Sequence, residues 1–124
     1  GDDEIVLGMG IHGEPGIQTQ KIPTAKKLAE EFIERIQADL DYTGKEVAVL
    51  VNGLGGTPLM ELYILYNEIE ELLRAKGIRI YRSFVGNYLT SLEMAGCSLS
   101  LLMLDDELKA LLDAPCDTPT LKIV

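Results

Sequence analysis

Glu46-Val47-Ala48-Val49-Leu50-Val51 runs directly into Asn52-Gly53-Leu54-Gly55-Gly56-Thr57-Pro58. A segment with apolar residues at Leu62, Leu65, Tyr66, Ile69, Leu72 and Leu73 follows and ends at Gly77. The first run is almost unbroken, apolar and rich in β-branched residues, the pattern of a strand covered on both faces. It is predicted to be a central strand. The third run repeats every three and four residues, which puts one stripe of a helix against a core, and glycine commonly lies just past a helix end. Strand, glycine turn and helix can also offer backbone N–H groups to a phosphate. The Walker lysine is missing, however, and the glycine pattern differs from the dinucleotide GxGxxG, so the nucleotide signal is weak beside a tight turn.

Toward the N-terminus, Ala25, Leu28, Ala29, Phe32, Ile33, Ile36 and Leu40 mark an amphipathic helix opened by Pro23-Thr24. Its Lys26, Lys27, Glu30, Glu31, Glu34 and Arg35 are assigned to a solvated face. Ile17 to Ile22 reads as polar and loose, and Glu4-Ile5-Val6-Leu7 as a short buried strand. Toward the C-terminus, Ile78 to Val85 and Cys97 to Leu104 are strands, with Tyr88 to Gly96 a loop or a short turn of helix. Asp105-Asp106-Glu107 supplies an N-cap and negative charge to a short helix through Leu108, Leu111 and Leu112. The tail from Asp113 contains Pro115 and Pro119 and is expected to be extended. The order β, α, β, α, β, β, α predicts the α/β class, a mixed β-sheet with packed helices, as a single domain over 1–124.

The chain has 124 residues, one domain's worth. Twenty acidic residues against eleven basic ones give a net charge of −9, which repels nucleic acid and anionic membrane surfaces. Cys97 and Cys116 match no zinc spacing and, with a single histidine, read as reduced thiols of a cytoplasmic protein. No apolar run is long enough to span a membrane. Gly1-Asp2-Asp3-Glu4 leads into a strand with no room for an earlier element, which suggests a piece of a longer protein.

The candidate chemistry lies in Gly8-Met9-Gly10-Ile11-His12-Gly13-Glu14-Pro15-Gly16. Its glycines allow positive φ and close approach to a ligand, and a neutral imidazole can serve as nucleophile, base or metal ligand. His12 would lie just beyond the carboxyl end of a strand, where α/β proteins bind ligands. Glu14 could orient the ring or face water. The plain alternative is a hydrogen-bonded histidine of the surface or core.

Together, Gly8 to Gly16, Val49 to Tyr63, Val85 to Gly96 and Asp113 to Pro119 resemble the second half of the dihydroxyacetone kinase K subunit. The likeness spans nearly the whole chain, and the four segments occur in the family's order. The resemblance implies the C-terminal domain fold of the K-domain type and assigns His12 the role of binding the ketone covalently as a hemiaminal. A nitrogen that adds to a carbonyl selects ketones over polyols such as glycerol, and the bond would hold a terminal hydroxyl ready for phosphorylation.

The resemblance further implies a homodimer whose K subunit has an N-terminal half, absent here, carrying a second histidine and an aspartate. No cofactor is expected on this chain. ATP or a phosphoenolpyruvate-derived phosphoryl group would be supplied through a separate nucleotide-binding L subunit, so the chain alone is expected to be inactive. A sensor of dihydroxyacetone that regulates transcription would use the same histidine and is the competing reading; a free nucleotide-binding module using Asn52 to Thr57 is a third. The likeness gives Asn52 to Thr57 and Gly86 to Ser91 no specific role.

Overall fold

The computed structural model describes residues 3–8, 15–92, 94–119 and 121–124. Strand β3 (Glu46–Gly53) is central, flanked by β4 (Arg79–Gly86) running parallel and β5 (Cys97–Met103) running antiparallel. The predicted mixed sheet is therefore present. Val47, Val49 and Val51 point to one face and are fully buried. Helix α2 (Leu59–Ala75) lies on that face against β3 and β4, and α1 (Ala25–Asp39) packs against α2. Ala29 and Ile33 of α1 and Leu62, Leu65, Ile69 and Leu73 of α2 complete a single core cluster with the valines. Each valine, leucine or isoleucine among them contributes roughly 1.5–3 kcal/mol when fully buried.

The helix ends follow local chemistry. Thr24 caps α1 by accepting from Lys27 N at 3.3 Å. At the end of α2, Gly77 takes φ +74°, Gly77 N donates to Arg74 O (3.1 Å) and Ile78 N to Leu73 O (2.9 Å). This pair of bonds satisfies the last carbonyls, and the buried Leu73 and Ile78 supply the accompanying apolar contact.

On the other side of the sheet, α3 (Asp106–Asp113) is capped by Asp105, which accepts from Leu108 N at 2.8 Å. Lys109 pairs with Glu46, and Arg82 reaches both Leu112 O (3.3 Å) and Asp113 (3.1 Å). The β3–β4 register shifts between Val47 and Ala48, which oppose Ile80 and Arg82, so Tyr81 is an extra residue in β4. Such a bulge turns neighbouring side chains toward one side. Tyr81 can thus donate to the same Asp113 carboxylate, and that bond holds the phenol proton and raises the Tyr81 pKa.

Two sequence expectations need correction. The polar stretch after Ile17 is not loose: Gln18–Lys21 is a strand, β2, paired antiparallel with β1 (Glu4–Leu7). Backbone pairing, not burial, holds it, so it lacks the apolar alternation that a sequence reading relies on. Consequently β1 is not a buried strand of the main sheet. It forms a separate two-stranded hairpin in which Leu7 is buried and Val6 is half exposed. The tail is extended, but β6 (Cys116–Asp117) and β7 (Lys122–Ile123) fold back on one another, with Thr118 N donating to Leu121 O at 2.8 Å.

Cys97 and Cys116 are unpaired thiols. Cys97 opposes Gly53 and packs against the core, and burial raises its pKa. Because the thiolate is the reacting form, alkylation of Cys97 by iodoacetamide is expected to lag behind that of a short unstructured thiol peptide at pH 8. The rate should keep rising above the ordinary thiol range, and peptide mass mapping in native buffer and in urea checks it. Equal rates in native buffer would contradict a shielded thiol. No described helix is long and apolar enough to cross a membrane.

Candidate functional site

The β1–β2 hairpin carries the histidine segment. Ile17 N donates to Leu7 O at 2.7 Å, so the strands are in register where the segment leaves and returns. Gly8 takes φ +71° there, in line with the positive φ expected of this glycine-rich run. His12 and Glu14 themselves lie outside the described residues.

Side chains of α1 anchor this hairpin. Gln20 Nε2 donates to Glu31 at 2.9 Å, and Arg35 donates to Gln18 Oε1 at 3.1 Å. Glu31 and Arg35 are four residues apart and so project from one side of α1. They belong to the set assigned from sequence to a solvated face: Arg35 is exposed as expected, whereas Glu31 is partly covered by a strand the apolar pattern does not reveal.

A second feature forms at the carboxyl end of β3. Asn52 is 3% exposed, the one buried polar residue among the described side chains. Its Oδ1 accepts from Tyr88 N (2.8 Å) and Leu89 N (2.9 Å), and its Nδ2 donates to Leu89 O (2.7 Å). One amide therefore satisfies three backbone groups of the loop between β4 and β5. The Thr57 hydroxyl donates to Gly96 O and accepts from Gly96 N, both at 2.9 Å. Leu54 N donates to Gly96 O (3.0 Å), Gly56 N to Met94 O (2.8 Å) and Ser91 N to Leu54 O (3.0 Å).

Asn52 to Thr57 and Gly86 to Ser91, which had no assigned role, are thus parts of one laced unit. At Gly56 a Cβ would lie 2.8 Å from Met94 C and Ala95 N, both backbone atoms, so only glycine fits without a shift. The geometry bears directly on the phosphate-cradle reading. The N–H groups of Leu54 and Gly56, which a cradle would aim at an anion, are bonded to the neighbouring loop instead. Asn52 was missed as a hub from sequence, although a polar residue closing an apolar strand run was its visible signal.

Among the described residues, no group of three or more His, Cys, Asp or Glu side chains is placed to hold a metal ion. The candidate read from sequence is the glycine-rich segment joining β1 and β2, and α1 holds the two strands on either side of it.

Comparison with known proteins gives the same picture of the fold. The Dak1 domain family matches residues 1–120. The chain is 49% identical to the dihydroxyacetone-binding subunit DhaK of PTS-dependent dihydroxyacetone kinase 2 from Listeria innocua, over 98% of this chain and 37% of that protein. It is 46% identical to a D-erythrulose kinase of Mycolicibacterium smegmatis, over 94% of this chain and 20% of that one. Among solved structures, the dihydroxyacetone kinase operon co-activator DhaQ superposes with a TM-score of 0.86 at 35% identity, covering 93% of this chain and 37% of that one. The chain spans little more than a third of the DhaK relative it matches. With a family match over almost its whole length and a fold shared with solved relatives, the chain belongs to the Dak1 domain family.

Proposed function

We propose that this chain is the ketone-holding part of a dihydroxyacetone kinase subunit, with His12 binding dihydroxyacetone covalently. The observation that carries the reading is the position of the chain's one histidine, in the segment joining β1 and β2, within a chain 49% identical to a dihydroxyacetone-binding subunit. A ring nitrogen adds its lone pair to the ketone carbon, and the carbonyl π pair moves to oxygen, which takes up a proton. The other ring nitrogen releases its N–H proton, so the hemiaminal is neutral. The adduct fixes the substrate with a terminal hydroxyl free, and most of the rate advantage is orientation. Phosphoryl transfer would require the remainder of the subunit and a separate nucleotide-binding L subunit, with ATP or a phosphoenolpyruvate-derived group as donor. The working assembly in this reading is a cytoplasmic homodimer of K subunits.

The co-activator likeness supports a second reading, a dihydroxyacetone sensor that regulates transcription through the same adduct. Carbon NMR of dihydroxyacetone labelled at its ketone carbon tests the shared step. With the chain added, the ketone signal is expected to convert in part to a tetrahedral-carbon signal; its absence with both this chain and the longer parent protein would sink the assignment. Adding L subunit and phosphoryl donor to the longer parent then separates the readings. Turnover supports the kinase, whereas adduct without turnover supports the sensor.

A further inference from the structure

Three of the chain's four arginines, Arg74, Arg79 and Arg82, line one cavity of about 630 Å³ between α2 and β4. In a chain of net charge −9, the described lining holds a single carboxylate, Glu70. Glu70 is already paired with Arg74, and Arg82 is engaged with Asp113, while Arg79 has no ion-pair partner among the described residues. The helix wall of the cavity includes Tyr66, Glu70 and Arg74, spaced four residues apart along α2, and its other wall is residues 78–83 at the edge of the sheet. Among the described strands β4 pairs only with β3, so its far edge offers unpaired backbone groups.

From the coincidence of an open strand edge, a helix wall and clustered guanidinium groups, we infer that this groove docks an extended acidic segment of another polypeptide. A carboxylate of the segment would meet Arg79, the arginine without an ion-pair partner among the described residues, fork to fork, and its backbone would add to the free edge of β4. Charge complementarity selects this occupant over a second copy of the chain. Two β4 edges paired antiparallel in the register that opposes residue 79 to residue 82 would bring arginines of the two copies together, and like charges across paired strands are destabilising. The bulge and the arginines thus act as a guard against self-pairing while remaining receptive to an acidic strand.

The test uses the folded 124-residue chain and a short peptide alternating glutamate and threonine, followed by amide NMR at low and at physiological salt. The expected result is salt-sensitive binding, with shifts confined to Tyr66 through Arg74 and Arg79 through Gly86. Arg79→Glu should weaken binding by about tenfold or more, and Arg79→Lys should weaken it less because the charge remains. Both variants are checked for folding by the unperturbed amide spectrum of the core, and Arg79→Ala provides a further loss of charge if Arg79→Glu does not fold. A lysine–threonine peptide binding equally well, shifts elsewhere on the surface, or no shift at about 1 mM peptide would overturn the inference. Free glutamate reproducing the peptide's shifts at the same affinity would overturn the docking of a strand. None of these readouts depends on His12 or on ketone binding.

Discussion

With His12 replaced by alanine, the tetrahedral-carbon signal of bound dihydroxyacetone is expected to vanish, not merely to weaken. Alanine has no group that can add to a carbonyl, and the chain holds no second imidazole to substitute for it. The loss should be chemical and not structural. The core consists of α1, α2 and the face of β3, β4 and β5 against them, so the urea midpoint of the variant serves as the control for folding. A His12→Ala chain that folds normally and still yields the adduct would refute the role assigned to His12. The same experiment carries a pH signature. Only the neutral ring has a lone pair to donate, so the adduct present at neutral pH should decline as pH falls through the range in which imidazole takes up a proton. Acid denaturation would show in the amide spectrum, whereas ring protonation would remove the adduct from a folded chain.

Asn52→Leu is expected to destabilise the chain by roughly 2–4 kcal/mol, since leucine fills similar space but satisfies none of three backbone groups. The amides of Tyr88 and Leu89 and the carbonyl of Leu89 would each lose a partner supplied by a side chain that is 3% exposed. Urea unfolding measures the total, and amide exchange at Tyr88 and Leu89 should accelerate before exchange at β3 does. A change within about 0.5 kcal/mol, the range of ordinary surface substitutions, would mean that Asn52 does not hold the loop. The loop between β4 and β5 is also tied to Thr57 and Gly56, so its release should propagate into the turn that starts α2.

Parts of the fold whose physics is local can be read from the residues directly. β3 was legible because a strand apolar on both faces leaves a continuous β-branched run, and it is indeed central to a mixed sheet. Helices α1, α2 and α3 were legible from three- and four-residue spacing, and Thr24, Gly77 and Asp105 mark ends where backbone groups need satisfying. Gly8 to Gly16 stands out in the sequence as a candidate site, because one histidine among glycines is a chemical statement that needs no partner.

Other features were decided by tertiary structure alone. β2 is held by backbone bonds to β1 and by Gln18 and Gln20 reaching Arg35 and Glu31, and polar residues on an exposed strand carry no periodic signature. Asn52 became a hub only once residues 36 and 37 positions further along the chain were folded over it. The arginine groove assembles side chains from α2 and β4, and the bulge at Tyr81 exists only in the register of two strands. Periodicity reports the side chain's relation to its own element. Which distant group meets that side chain is fixed by how the elements pack, and that packing is where the loops of this chain acquire their roles.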